Sequence, residues 1–452
     1  MTPRTAALAI ALLWQAACGG DAFKPRDVIV IVMDTTRADH LGVYGYSRDV
    51  SPRLDAFAND AEVYRNAWSP SSWTLPAHAS LLTGRYPTAH GAHMRPDRDP
   101  DSLGKNPAYL SDQAITLAEM LKERDFHTAA YAGAGWLAPE FGLLQGYTVQ
   151  DAQNLRDIQA QELTDRASAW IDTVPEGEPL HLLVNYFDPH GPYDPPEGYD
   201  TFPAAKKKIE KPILPTEVGK LTPEEIVERL SEIRHIVVDR YDGEIMYMDN
   251  HIGRLLDKLR AVGRYDDALI VIVADHGEGF GEKGALGHGA WLYEPLIRIP
   301  FIIHRPGGRN GGTQVDHLVS LVDVLNIVAE ETGLELPPHL DGLPVGARAL
   351  VLAEEVPSAL FKKQRSSLDR DQLAGIRWPL KLIVNIPGPT ELYRLDRDPG
   401  EKENLADGQA EIELRGLVAS AFAALEVAPI PMATRPMSPE SRERLKAQGY
   451  LE

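Results

Sequence analysis

Cysteine is nearly absent from this sequence of 452 residues, because Cys18 is the only one. A single cysteine excludes an intramolecular disulfide and a metal site with several cysteine ligands. Long apolar runs are also missing: the stretch from Ala6 to Trp14 has nine residues, too few to cross a bilayer as a helix. With 43% hydrophobic residues, the chain can nevertheless build a large core.

Positive charge is the second scarce feature. The chain has 46 basic against 66 acidic residues, a formal net charge of −20. Nucleic acids and anionic membranes would be repelled over most of such a surface, so we expect no nucleic-acid partner. A small anionic substrate is not excluded, because a bound metal ion reverses the field locally.

Residues 1–20 have the order of an export signal: basic Arg4, then the apolar stretch, then small residues. The run Ala16-Ala17-Cys18-Gly19 resembles a bacterial lipobox, although Gln15 departs from its usual aliphatic residue. We therefore predict an exported periplasmic or cell-envelope lipoprotein, anchored to the membrane by a lipid on Cys18. An apolar N-terminal helix is the alternative.

Strand and helix patterns alternate along the chain. Continuous β-branched runs predict strands buried on both faces at Asp27–Asp34 and Ala268–Asp275. Further strands are predicted at 126–132, 181–187 and 299–303. A capping box at Thr116 predicts the start of one helix, and two more helices are predicted at 239–262 and 318–332. This alternation predicts an α/β fold: a large, mostly parallel sheet flanked by helices on both faces.

The pattern changes twice, which suggests a domain organisation. A catalytic domain is predicted over residues 26–365, a small C-terminal α+β subdomain over 366–426 and a tail over 427–452. Strands at 380–385 and 391–395 and a helix at 408–426 belong to the subdomain. Residues 192–225 are rich in proline and predict a long surface loop, on which Lys206 to Lys208 form a solvated face rather than a substrate clamp.

Two predicted buried strands end in acidic residues. Asp34 ends the first, and Asp275-His276-Gly277 ends the second. A lone Asp at such a point is usually a turn former or a helix cap. Ligands of open α/β sheets bind beyond the carboxyl ends of the strands, where two carboxylates and an imidazole would suit a divalent metal ion.

The segment from Ser71 to Gly84 predicts a third part of a site. Thr74 lies at a predicted N-cap, Pro76 suits the first turn, and Gly84 can close the helix. A hydroxyl group at this end faces the positive pole of the helix, which favours an alkoxide and a bound oxyanion. Judged by the local sequence alone, an ordinary threonine cap is the better explanation of Thr74.

Several ordered motifs resemble the sulfatase family of the alkaline-phosphatase superfamily. Asp34 to Gly42 matches the opening metal-strand motif, and Thr74 to Gly84 matches the nucleophile signature. Asp275 to Pro295 matches the second metal-strand block, and Glu391 to Leu405 matches the C-terminal motif. The resemblance covers about residues 26–426. It implies a hydrolase acting on ester bonds of small anionic substrates.

Four positions depart from the usual sulfatase pattern. Thr74 stands where a Cys or Ser is converted to formylglycine, and His78 replaces the signature Arg, so no formylglycine is expected. Thr35 replaces a second metal-binding Asp found in many sulfatases, and His288 replaces a Lys. These changes resemble superfamily branches that use an unmodified Thr, among them phosphodiesterases and phosphoglycerol or phosphoethanolamine transferases.

The resemblance implies a role for each site residue. Asp34, Asp275 and His276 would hold one divalent ion (Ca, Mn or Zn), and Thr74 would be both a ligand and the nucleophile. The oxygens of the substrate would be contacted by His78, His190 and His288. The last two are also candidates for protonating the leaving group. Each of these histidines could instead be structural. A two-metal site would draw on Asp188, His190, His288 and His304.

Phosphodiesters or phosphonate esters are the favoured substrates of this predicted hydrolase. A true sulfuric ester hydrolase, a phospho-group transferase and a catalytically inactive binding protein remain alternatives. Arg37 and Asp39 are expected to be structural and to orient the loop after the first strand. The oligomeric state is not predicted.

Overall fold

The computed structural model describes residues 27–93, 108–152, 159–209, 221–356, 370–426 and 428–447. The predicted signal peptide and Cys18 lie outside these ranges. Among the described residues, none of the helices combines the length and the apolar character needed to span a membrane.

The strands and helices alternate as the sequence predicts. The strands are β1 (Asp27–Met33), β2 (Glu62–Trp68), β3 (Ala108–Tyr109), β4 (His127–Ala132), β5 (Val149–Asp151), β6 (Leu180–Tyr186), β7 (Ala268–Val273), β8 (Gly279–Phe280), β9 (Leu286–Gly287), β10 (Phe301–His304), β11 (Thr313–Ser320), β12 (Val351–Glu355), β13 (Asp371–Arg377), β14 (Leu380–Ile386), β15 (Glu391–Arg394) and β16 (Ala433–Thr434). The α-helices are α1 (Pro52–Phe57), α2 (Thr74–Thr83), α3 (Pro87–His90), α4 (Leu117–Lys122), α5 (Ala160–Ile171), α6 (Pro223–Ala261), α7 (Glu294–Ile297), α8 (Val324–Thr332), α9 (Gln409–Leu425) and α10 (Pro439–Ala447).

The main sheet has eight strands in the order β11-β2-β10-β7-β1-β6-β4-β5. Only β10 runs against its neighbours, whereas β1 pairs in parallel with both β6 and β7. The prediction of a mostly parallel sheet is therefore confirmed. Because β1 and β7 are neighbours, the residues that follow them, Asp34 and Asp275, leave the sheet at the same edge.

Alternate residues of β1 enter two hydrophobic cores. Val28, Val30 and Val32 pack on the face covered by α2, α4 and α8, whereas Ile29, Ile31 and Met33 face α1, α5 and α6. Both sets are fully buried. This explains the continuous β-branched run, since a strand covered on both faces has no solvent side to carry polar residues.

A second, antiparallel sheet of four strands follows in the order β12-β13-β14-β15. Helix α9 packs on it through Leu414, Val418 and Phe422. The edge strand β12 ends at Glu355, before the predicted boundary at residue 366. The small sheet therefore begins within residues that the sequence pattern assigns to the catalytic domain.

Several predicted boundaries differ from the structure. Helix α6 begins at Pro223 rather than Asp239, because Thr222 and Glu225 form a capping box ahead of it. Residues 318–320 belong to β11, so the helix predicted from 318 begins only at Val324, although Gly333 closes it in the left-handed conformation as expected.

Candidate active site

The candidate site lies at the carboxyl ends of β1 and β7. Asp34 follows β1, and Asp275 and His276 follow β7 after one intervening residue. All three side chains are fully buried, and each offers a donor atom within 4.8 Å of the others. Among the described residues, no other group of three such side chains is close enough to share an ion.

These side chains fit a divalent cation. Within the described part of the chain, Oδ1 of Asp34 and Oδ2 of Asp275 are buried and accept no hydrogen bond. Burial, followed by repulsion from Asp275, raises the pKa of Asp34 well above its usual range, and burial raises that of Asp275 to about 6. Two carboxylates, each with one unsatisfied oxygen, and an imidazole are the donors that a divalent ion requires, and an ion there would offset the repulsion between the carboxylates.

The hydroxyl group of Thr74 faces this group of donors. Its Oγ1 lies 3.4 Å from Nε2 of His276, and the side chain is fully buried. The prediction that Thr74 is the N-cap of the helix is wrong, because Trp73 caps α2 with an extended backbone and Thr74 is the first helical residue. The hydroxyl group remains in the first turn, close to the positive end of the helix.

His78 lies one turn further along α2 and is fully buried. Its Nδ1 is 3.0 Å from the carbonyl oxygen of Thr74 and 3.5 Å from Oδ2 of Asp275, and its Nε2 is 3.0 Å from Oδ1 of Asn185. Asn185 in turn donates from Nδ2 to Oδ2 of Asp34 at 3.3 Å. His78 thus connects α2 to both acidic residues, and its predicted contact with substrate stays a prediction.

Asn185 was not predicted from the sequence as a site residue. It lies near the end of β6, the neighbour of β1, within a run of apolar residues. A polar amide inside a buried, largely apolar strand is the signal that could have revealed it, because a buried amide needs hydrogen-bond partners.

His190 and His288 line the same region from two loops. The His288 ring centroid lies 4.6 Å from that of His276 and 4.9 Å from that of His190. Nδ1 of His288 is 3.1 Å from Oε1 of Glu278, whose Oε2 accepts a hydrogen bond from Tyr193 at 2.9 Å. Burial lowers the pKa of His288 to about 4, and burial together with His288 lowers that of His190 to about 3. The structure therefore brings both predicted histidines together beside His276.

Some other predicted positions do not reach the site. Nδ1 of His304 lies 3.1 Å from the carbonyl oxygen of Ala268, at the opposite edge of the sheet, because β10 is antiparallel to β7. Its suggested role in a second metal site is therefore wrong. Arg37 forms an ion pair with Asp39 at 2.7 Å, which agrees with a structural role for both residues. Residues 206–208 are exposed, as predicted.

Adding a divalent ion should stabilise the fold. At a concentration one hundred times its Kd, an ion that binds only the folded chain contributes about 2.7 kcal/mol. We expect Ca²⁺, Mn²⁺ or Zn²⁺ to raise the melting temperature in differential scanning fluorimetry, and EDTA to reverse the shift. Asp275→Asn should abolish the shift while raising the melting temperature of the metal-free protein, since it removes one repelling charge. A metal shift that survives in Asp275→Asn would contradict the assigned site.

A hydroxyl group near two buried carboxylates and an imidazole, at the carboxyl edge of an α/β sheet, is the arrangement of an α/β enzyme with a candidate cation site. Comparison with known families is more specific. The family model described as Sulfatase matches residues 26–334, so the chain belongs to the sulfatase family and is a hydrolase acting on ester bonds.

Individual relatives are distant. The chain is 23% identical over 429 residues to an uncharacterized sulfatase, YidJ, of Escherichia coli, covering 85% of this chain and 84% of that protein. The phosphonate monoester hydrolase of Agrobacterium radiobacter has a similar fold, with a TM-score of 0.69 and 19% identity over 89% of this chain and 95% of that one. A 2-O GAG sulfatase matches with a TM-score of 0.70 and 18% identity over 93% and 96%.

Proposed function

We propose that this sulfatase-family enzyme hydrolyses phosphodiesters or phosphonate esters with Thr74 as the nucleophile. The observation that carries the proposal is the position of the Thr74 hydroxyl group, 3.4 Å from His276 and beside Asp275 and Asp34. An unmodified threonine cannot form the aldehyde of a sulfatase formylglycine. Its chemistry is that of an alkoxide, which forms a phosphoester that water can cleave.

In the proposed reaction, Oγ1 of Thr74 attacks the phosphorus atom in line with the leaving alcohol. As the new P–O bond forms, Oγ1 loses its proton and the P–O bond to the alcohol breaks, so that the alcohol oxygen takes the electron pair and the equivalent of that proton. Water then attacks the phosphothreonine, and Oγ1 leaves as the restored hydroxyl group. A bound divalent cation would supply Lewis acidity, which lowers the pKa of a hydroxyl group and neutralises developing charge.

The remaining residues position the reactants. Asp34, Asp275 and His276 would hold the cation, and backbone N–H groups in the first turn of α2 would stabilise the charge that develops on the non-bridging oxygens. His190 and His288 would contact those oxygens or protonate the leaving alcohol. His78 would hold the carbonyl group of Thr74 and bind substrate if the substrate reaches this depth of the site.

A sulfate-ester hydrolase is the second candidate, because the family model and the 2-O GAG sulfatase point to sulfate chemistry. The similarity to a phosphonate monoester hydrolase supports phosphorus chemistry on the same fold. We rank phosphorus first, because a threonine sulfate is harder to resolve by simple attack of water. We also propose export and anchoring through Cys18, on the sequence of residues 1–20.

The test is a panel of aryl esters assayed with each divalent ion: a phosphate monoester, a phosphate diester, a phosphonate monoester and a sulfate ester. We expect kcat/KM for the diester or the phosphonate to exceed that for the sulfate ester by at least ~10-fold. In acid-quenched turnover, intact-mass analysis should find one phosphoryl or phosphonyl group on Thr74. Faster hydrolysis of the sulfate ester would favour the second candidate, and silence with every ion would favour an inactive binding protein.

A further inference from the structure

The segment just before Thr74 is held by strand β12 of the small sheet. The N–H group of Glu354 donates to the carbonyl group of Pro70 at 2.9 Å. Oε2 of Glu355 accepts three hydrogen bonds, from the backbone N of Ser72 at 3.2 Å, from its Oγ at 2.7 Å and from Oγ of Ser71 at 3.2 Å. One carboxylate oxygen thus accepts hydrogen bonds from two consecutive residues that lie close to the proposed nucleophile along the chain.

Ser72 also contacts the loop that carries His288. Its carbonyl oxygen accepts a hydrogen bond from the N–H group of Gly289 at 2.9 Å. Ser72 is therefore tied on one side to Glu355, on another to the neighbour of His288, and along the chain to Thr74 two residues later. Ser72, Thr74 and Glu355 are all buried, so water does not compete for the bonds of Ser72 to Glu355.

We propose that Glu355 is a positioning residue for the reaction: through Ser72, it fixes the placement of Thr74 relative to His288. The inference rests on the proposed function, in which these two residues act on the substrate. Glu355 itself reaches the reacting atoms only through the serine, so it holds geometry and transfers no proton. A shift of about 1 Å between reacting groups can cost ~100-fold in rate, which sets the expected effect.

The chemistry of the carboxyl group supports a role as acceptor. Burial raises the pKa of Glu355 to about 7, against the hydrogen bonds from Ser72 and Ser71 that lower it. Among the described residues, its Oε1 accepts no hydrogen bond, so a single oxygen makes every bond to the serines. The amide oxygen of glutamine could take over these bonds, whereas alanine would leave the three donors without a partner.

The neighbouring Glu354 offers a matched control. It is also buried and lies on the same strand, but its carboxylate accepts from N and Oγ1 of Thr88, both at 2.6 Å. These bonds hold the start of α3 and not Ser71 or Ser72. We therefore expect the reaction to be impaired by loss of the carboxylate of Glu355, which is bonded to Ser72, and not by loss of the carboxylate of Glu354.

The experiment measures kcat and KM of the full-length enzyme on its best aryl ester, for Glu355→Ala, Glu355→Gln and Glu354→Gln. We expect Glu355→Ala to lower kcat by ~100-fold with KM within ~3-fold of wild type, because binding groups stay in place while the attack geometry is lost. Glu355→Gln should restore kcat to within ~5-fold, and Glu354→Gln should match wild type. A wild-type kcat in folded Glu355→Ala, or an equal loss in Glu354→Gln, would overturn the inference.

A second measurement applies if Glu355→Ala does not fold. Ser72→Ala removes the 2.7 Å bond and should lower kcat by ~10-fold at unchanged KM. In a double-mutant cycle, Ser72→Ala combined with Glu355→Gln should cost less than the sum of the two single losses, because both changes disturb the bond from Oγ of Ser72 to Glu355. Additive losses, or a wild-type kcat in Ser72→Ala, would refute the role. Failure of the proposed function is distinguishable, since it would appear as turnover that survives without Thr74.

Discussion

Replacing Thr74 by alanine should lower kcat by at least ~10⁴-fold while the protein stays folded. The side chain is fully buried at the first turn of α2, and its hydroxyl group is the one closest to His276. Alanine is a good helix former and leaves only a small void, so the fold should tolerate it. Steady-state kinetics with the best substrate of the panel measure the loss.

Thr74→Ser is the matched control, because it keeps the hydroxyl group and removes only a methyl group. We expect its kcat to stay within about 10-fold of wild type, the loss reflecting the freer rotation of serine about χ1. The metal-induced rise in melting temperature should persist in both variants if Asp34, Asp275 and His276 supply most of the binding. Wild-type turnover by Thr74→Ala would remove the nucleophile from the mechanism.

Replacing Lys381 by methionine should destabilise the protein by about 3–5 kcal/mol. The ammonium group is fully buried and lies 2.9 Å from a carboxylate oxygen of both Glu294 and Glu401. Burial alone would lower its pKa, but the two carboxylates raise it above the usual value for lysine. Methionine fills similar space yet leaves the two buried carboxylates facing each other without a cation. Urea-induced unfolding followed by circular dichroism measures the loss.

The loss should depend on pH in a defined direction. Burial already raises the pKa of Glu401 to about 7 in the wild-type protein, and removing Lys381 would raise it further. A carboxyl group whose folded-state pKa is raised destabilises the fold as pH rises through that pKa, so Lys381→Met should be least affected in acid. As a control, Lys206→Met removes an exposed ion pair with Asp200 and should change stability by less than about 0.5 kcal/mol. An unchanged urea midpoint for Lys381→Met would contradict the prediction.

The sequence predicts strands β1 and β7 because burial on both faces produces a continuous apolar run in each of them. Both β1 and β7 are covered on both faces, so their residues are almost all β-branched or apolar. Strand β2 is also largely buried, but it carries the polar residues Glu62 and Asn66, so its pattern is not that of a buried strand. Glu62 is accommodated because Arg305 lies 2.9 Å from its carboxylate, a partner 243 residues away. Such a strand cannot be recognised before the partner is known.

The same contrast applies to the candidate site. Asp34 and Asp275 could be placed together because the carboxyl ends of neighbouring parallel strands meet at one edge. Asn185 and Glu355 are not predicted from the sequence, because each forms hydrogen bonds with residues of another segment and neither lies in a motif. The cap of α2 lies one residue before the predicted position, because Trp73 has the extended backbone of a cap and Thr74 is already helical.

By itself, the sequence determined the five central strands of a mostly parallel sheet, the family resemblance, and the residue types of the site. Those properties follow from local burial patterns and from motifs that lie within single segments. Only the tertiary structure decided the register that sets β1 against β7, and with it the distance from Thr74 to His276. It alone also joined β12 to the segment before Thr74, because hydrogen bonds between remote segments depend on how the two sheets pack and leave no periodic trace in either segment.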